Sequence, residues 1–176
     1  MKRISCLLLA LLLLISLAAC SFHPLMSKEK LLTLDDDDFF EAMMLRCMEP
    51  PNGIRNFSAT HEQKTYYTLM NFLLEVENGG LCQFFVNTSG ECAPYVSDSL
   101  EEVGELALKK RYDDFIADNQ IDVNNLSFFQ IEGRRDFEAL ANMYDFDSFD
   151  DAFYEDQTLY QTIIDYAREN IDKILL

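Results

Sequence analysis

The apolar residues of this chain fall into groups whose spacing predicts helices almost throughout. Phe39, Phe40, Met43, Met44 and Cys47 recur at three and four behind the aspartates Asp35 to Asp38. That pattern predicts a helix whose first turn carries carboxylates, where they favour the positive end of the helix dipole. Four consecutive aspartates also invite a metal reading, but consecutive helical side chains point in different directions, so capping is the reading adopted. Glu49-Pro50-Pro51-Asn52-Gly53 ends this helix in a rigid turn, and a short polar loop leads to Thr60. Thr60 and Gln63 have the spacing of a capping box and start a second helix. Tyr66, Leu69, Leu73 and Val76, with Tyr67, Met70 and Leu74 beside them, make one stripe facing a core, and the helix is expected to reach Glu77.

The sequence Asn78-Gly79-Gly80 then interrupts the pattern. Asn78 and Gly79 take positive φ at little cost, as a helix C-cap requires, and Gly80 permits a close backbone approach. A hairpin at Asn-Gly is rejected because the preceding run has helical rather than alternating spacing. The helix restarts at Leu81 and runs to Val86, with Leu81, Phe84 and Phe85 on an apolar side and Gln83 and Asn87 four apart on another. Those two amides either recognise a ligand or cap backbone groups freed at the break; the second reading needs no further partner and is adopted. Ser89-Gly90 predicts a turn, followed by helices between Glu91 and Val103 and from Glu105 to Asp118. Their buried faces are Val96, Leu100 and Val103, then Leu108, Tyr112 and Phe115. Residues Asn119 to Gly133 read as a connection with little regular structure. A final helix over about Asp156 to Leu175 buries Leu159, Ile163, Tyr166 and Ile174. The fold class is all-α: one multi-helix domain with a helix-NGG-helix turn.

The string Glu75-Val76-x-Asn78-Gly79-Gly80-x-x-Gln83-Phe84-Phe85-x-Asn87, followed by Ser89-Gly90, resembles the signature of the bacterial DNA-mimic protein family, also catalogued as a domain of unknown function. Leu100 and Gly104 resemble that family's Leu-x-x-x-Gly helix end. Phe146-Asp147-x-Phe149-Asp150-x-x-Phe153-Tyr154, with Tyr166 beyond, resembles its C-terminal block. The likeness covers about residues 60–173. It implies an acidic all-helical fold and, from the best-known member, a carboxylate surface that imitates duplex DNA towards a DNA-binding protein. The motif consists of glycines and aromatics, so it speaks for the fold more than for the activity.

Met1-Lys2-Arg3 followed by apolar and small residues from Ile4 to Ala19 has the form of a secretory signal, too short for an ordinary membrane-spanning helix. Leu17-Ala18-Ala19-Cys20 resembles the bacterial lipoprotein box, which implies acylation of Cys20 as the first mature residue. The expected organisation is a signal over 1–19, a lipidated tether over 20–34 and an acidic helical domain over 35–176, anchored to the cell envelope on its extracytoplasmic face. With Ser21 after the cysteine, the outer membrane is expected if the cell has two membranes.

Charge narrows the partners. Losing residues 1–19 removes Lys2 and Arg3 and no carboxylate, leaving 31 acidic against 12 basic side chains, a formal charge of -19. Such a chain repels nucleic acid and anionic headgroups and attracts basic partners, so direct nucleic-acid binding is not expected. From Asp136 to Ala167 there are nine acidic residues and no Lys, Arg or His. Within that run Asp145, Asp147, Asp150, Asp151, Glu155 and Asp156 are the expected partner-binding surface. Lys109-Lys110-Arg111, the one basic triplet of the mature chain, is read as offsetting carboxylates of the same domain.

Cys47, Cys82 and Cys92 remain after Cys20, and in an oxidising compartment Cys82 with Cys92, flanking a turn, is the expected pair, against three buried thiols as the alternative. Zinc lacks paired cysteine spacing, and the aspartates at 145–151 miss the Gly and Glu of a calcium-binding EF-hand loop, so no metal or cofactor is expected. No Gly-x-Ser-x-Gly, His-Glu-x-x-His or phosphate-binding glycine loop is present, and no catalytic residue is assigned. The leading expectation is a membrane-anchored acidic binding protein, a decoy or inhibitor of a basic DNA-binding or toxin protein. An envelope scaffold lipoprotein is the alternative, and a hydrolase using a carboxylate pair ranks last.

Overall fold

The capping box at Thr60 nucleates the element on which the rest is packed. In the computed structural model, which describes residues 26–48, 59–131 and 133–175, the Thr60 hydroxyl accepts from Gln63 N–H at 3.0 Å. The Gln63 side chain accepts from Thr60 N–H at 2.8 Å. Among the described residues there are nine helices in chain order: α1 (Lys28–Leu31), α2 (Asp36–Met48), α3 (His61–Val86), α4 (Ala93–Glu102), α5 (Leu106–Asp118), α6 (Arg134–Ala141), α7 (Phe146–Glu155), α8 (Thr158–Glu169) and α9 (Ile171–Ile174). There is no strand among the described residues, and the class is all-α as the spacing predicts. The signal sequence, Cys20 and the Pro50-Pro51 turn lie outside the described residues, as does the side chain of Cys47.

Helix α3 packs against α4, α7, α8, α9 and the 3-10 turns Thr88–Cys92 and Leu126–Phe129. Most of its predicted stripe is buried: Tyr66, Leu69, Met70, Leu73 and Val76 are all at most 3% exposed, while Tyr67 and Leu74 are half-buried at its edges. Phe72, fully buried, is met edge-on by Phe84, Tyr112 and Phe153 at 5.2, 5.7 and 5.9 Å, which joins α3 to α5 and α7. Edge-to-face pairs set the positive ring rim against the negative face, adding a directional term to burial.

Several boundaries differ from the periodic reading, each for a local reason. The connection after α5 contains the 3-10 turn Leu126–Phe129, started by Asn125, whose side chain accepts from Ser127 N–H. The last helix is divided at Asn170, whose amide donates to the Tyr166 carbonyl. Tyr166 itself is half-buried rather than buried, its hydroxyl donating to Glu102 at 2.6 Å. The end of the expected tether belongs to the fold, because Leu31 is buried and Lys28 pairs with Asp172 of α9.

The aspartates at the start of α2 serve structure. Asp35 accepts from Asp38 N–H as an N-cap. Asp36 takes Arg168 at 2.9 Å, and Asp37 takes the Tyr160 hydroxyl at 2.8 Å. The Arg168 guanidinium also lies 4.2 Å from the Phe39 ring centroid, so α2 is tied to α8 by charge and by a cation over an aromatic face.

A locked helix break and a carboxylate row

Within α3 only Gly79 and Gly80 leave helical geometry. Gly80 has φ +79°, while Gly79 is extended at φ -169°. The positive φ therefore belongs to Gly80, not to Asn78 or Gly79; Asn78 stays helical and exposed. The break turns the restarted segment back along the first. Phe72 and Phe84 are twelve positions apart, about 18 Å along a straight helix, yet their rings lie 5.2 Å apart.

An interrupted helix frees backbone donors and acceptors that must find other partners. At this break both come from α7. The Asp150 carboxylate accepts from Leu81 N–H at 2.8 Å, and the Tyr154 hydroxyl donates to the Val76 carbonyl at 2.7 Å. The fit is close: a Cβ on Gly80 would lie 2.1 Å from Asp150 Oδ2. The two motifs of the sequence thus interlock, one supplying the break and the other its caps. Gln83 and Asn87 do not cap freed backbone as expected. Their side chains donate to Glu75 Oε2 at 2.9 and 2.7 Å, which clamps the restarted segment to the first by side chains alone.

Burial raises the Asp150 carboxyl above its ordinary range, and the charges of Asp147 and Asp151 push the same way against the Leu81 N–H. A carboxyl raised on folding contributes stability that is full below its unfolded pKa and lost as pH rises through the folded value. Asp150→Asn keeps the acceptor and removes the charge, so at pH 7 it is expected to melt at or above wild type. That advantage should shrink as the pH falls through the raised range in which the wild-type carboxyl takes up its proton. Asp150→Ala leaves Leu81 N–H unpaired and should cost about 1 to 2 kcal/mol on both sides of that range. Equal losses in the two variants would mean that the charge, not the acceptor, holds the break.

Cys82 and Cys92 are not bonded, contrary to the expected pair: both are free and buried. Cys82 lies beside Asp150 in the restarted segment, whereas Cys92, ending the 3-10 turn, faces the Thr68 hydroxyl. Burial raises Cys82 to about 11 and Cys92 to about 12, so both are protonated and unreactive near neutral pH.

The structure divides the six carboxylates of the acidic run by the work they do. Asp145 caps α7 by accepting from Ser148 N–H, Asp150 holds Leu81, and Asp156 accepts from the Thr158 hydroxyl. Asp147, Asp151 and Glu155 are exposed and make no hydrogen bond or ion pair among the described residues. They stand four apart, so they form one row with about 6 Å between successive carboxylate-bearing positions. The opposite face of α7 buries Phe146, Phe149 and Phe153, which fixes the row outward. The charges of the basic triplet are occupied. Lys109 pairs with Asp113 and Glu101, and Lys110 with Asp114, while the Arg111 guanidinium donates to the Ala152 carbonyl. The basic triplet offsets carboxylates as expected, except that Arg111 serves α7 backbone. His61, in the first turn of α3, meets Glu102. Among the described residues no three His, Cys, Asp or Glu side chains are grouped to hold a metal.

These features define a class: an acidic all-helical domain built on a glycine-broken helix, locked by an Asp and a Tyr of a later helix, with carboxylates in a row on that helix. The family model described as DMP19-like protein matches residues 58–170, and the chain belongs to that family, which is named for a DNA mimic protein. The matched span contains both the broken helix and the whole of α7. The DNA-mimic family is not a known enzyme family. No curated protein and no solved structure matches the chain.

Proposed function

We propose that this domain is a membrane-anchored electrostatic decoy that binds a basic protein, a DNA-binding protein or a toxin, through the outer face of α7. The observation that carries the reading is the row Asp147, Asp151 and Glu155, three exposed carboxylates without a cationic partner among the described residues, in a chain of formal charge -17. A fixed row of negative charge on a rigid helix attracts a cationic surface over a Debye length and aligns it before contact. The same charge repels duplex DNA, so the partner is a protein with a DNA-like preference rather than DNA itself. Family membership supports this reading, because a DNA mimic works by presenting phosphate-like charge to a DNA-binding surface.

The anchor is proposed at Cys20, from the lipoprotein-like Leu17-Ala18-Ala19-Cys20. Among the described residues no helix is long and apolar enough to cross a membrane. Cys20→Ser should move the protein from the membrane to the soluble fraction or leave an unprocessed precursor; wild-type fractionation and migration would remove the anchor from the account. The reading as a whole is tested by affinity capture from envelope extract followed by a salt gradient. Basic proteins eluting at moderate salt are expected, since screening weakens exposed charge pairs. Capture of neutral or acidic proteins that resist salt would contradict it.

A further inference from the structure

The start of α7 adjoins a second feature that charge does not explain. Phe128 is 54% exposed and Met143 is 59% exposed, on the 3-10 turn Leu126–Phe129 and the turn before α7 respectively. They are joined by Tyr144, which follows Met143 and meets the Phe128 ring edge-on at 6.5 Å. Beneath them the aromatics are fixed. Tyr144 stacks on buried Phe129 at 6.1 Å and touches buried Phe146 edge-on at 5.7 Å, and Phe129 packs on Phe85 of α3 at 5.0 Å. Phe128 and Tyr144, held on this base, make a preorganised aromatic surface that loses little side-chain freedom when covered, and exposed Met143 is next to it in the chain. The exposed carboxylates Asp145 and Asp147 follow directly along the chain.

Resting on the decoy reading above, we infer that Phe128, Met143 and Tyr144 form an apolar anchor for the same basic partner, taking one of its hydrophobic side chains beside the carboxylate row. Charge selects the occupant. A second copy of this chain brings its own formal charge of -17, and an anionic membrane brings like charge, so both are repelled where a cationic protein is drawn in. The two parts divide the kinetics. The row governs encounter, and the anchor, desolvated only in the complex, governs dissociation. A partner matched by charge alone then leaves quickly, which gives a decoy selectivity among basic proteins.

The test uses two short lysine-rich peptides that differ only in a central alanine or leucine, binding to the immobilised full chain. The leucine peptide is expected to dissociate roughly tenfold more slowly, with both peptides associating alike. Phe128→Ser and Met143→Ser should each erase most of that difference and leave the salt dependence of association unchanged; both positions are more than half exposed, and circular dichroism verifies that the variants fold. Salt-dependent binding without a leucine advantage, or an advantage that survives in both variants, overturns the anchor and leaves the charge reading standing. No salt-dependent binding of either peptide overturns both. Sedimentation that shows a wild-type dimer dissolved by Phe128→Ser assigns the patch to a second copy and overturns the anchor for a basic partner.

Discussion

Gly80→Val is expected to destabilise the domain by about 3 kcal/mol, a fall in Tm on the order of 10 °C for a domain of this size. Two separate costs combine. A side chain at φ +79° is strained wherever it occurs, and a β-branched one most of all. In addition the new Cβ would lie 2.1 Å from Asp150 Oδ2, so the carboxylate must leave Leu81 N–H, and a buried donor loses its partner. Gly79→Val provides the contrast. Its φ of -169° is available to any residue, and its Cβ would meet the end of the flexible Gln83 side chain. The cost there is about 1 kcal/mol, the value of the Gln83 to Glu75 hydrogen bond. Chemical denaturation of both variants measures the difference; equal losses, or an unchanged Gly80→Val, would contradict the lock between α3 and α7.

The second large effect is on binding. Replacing Asp147 and Asp151 with Asn and Glu155 with Gln should slow association with a basic protein by roughly tenfold at low salt, because steering acts on the encounter rate. Stability should hardly fall, since none of the three carboxylates makes a hydrogen bond or ion pair among the described residues. The four aspartates at the start of α2 have similar charge and the opposite role. Asp35→Asn, Asp36→Asn, Asp37→Asn and Asp38→Asn together break the contacts of Asp36 with Arg168 and of Asp37 with Tyr160, so they should lower Tm and leave association nearly unchanged. Stopped-flow association beside thermal melts separates the two sets.

How much of this was legible follows from the range over which each signal acts. The capping box, the buried stripe of α3 and the existence of the break rest on neighbours a few residues apart, and spacing reveals them. The choice of Gly80 over Gly79 depends on Asp150, whose bond to Leu81 N–H spans 69 positions, which no local pattern discloses. Glu75 is similarly decided by the fold, since the amides of Gln83 and Asn87 reach it only because the helix turns back. Cys82 and Cys92 flank a turn in sequence, but the fold leaves both as free buried thiols, Cys82 within the field of Asp150 and Cys92 near Thr68. In the acidic run, charge density marked six carboxylates without separating caps from surface. The four-residue spacing of Asp147, Asp151 and Glu155, and the place of Asp145 just before the apolar Phe146, were signals in the sequence that could have separated most of them.

The central claim, that an open carboxylate row on α7 steers a cationic partner, is tested most directly by the association rate of a basic DNA-binding protein measured across ionic strength. Wild type should show a rate that falls steeply as salt rises, and the Asp147→Asn, Asp151→Asn, Glu155→Gln variant a clearly flatter dependence that meets it at high salt. Parallel salt dependences for the two proteins would contradict the claim and place the interaction elsewhere on the domain.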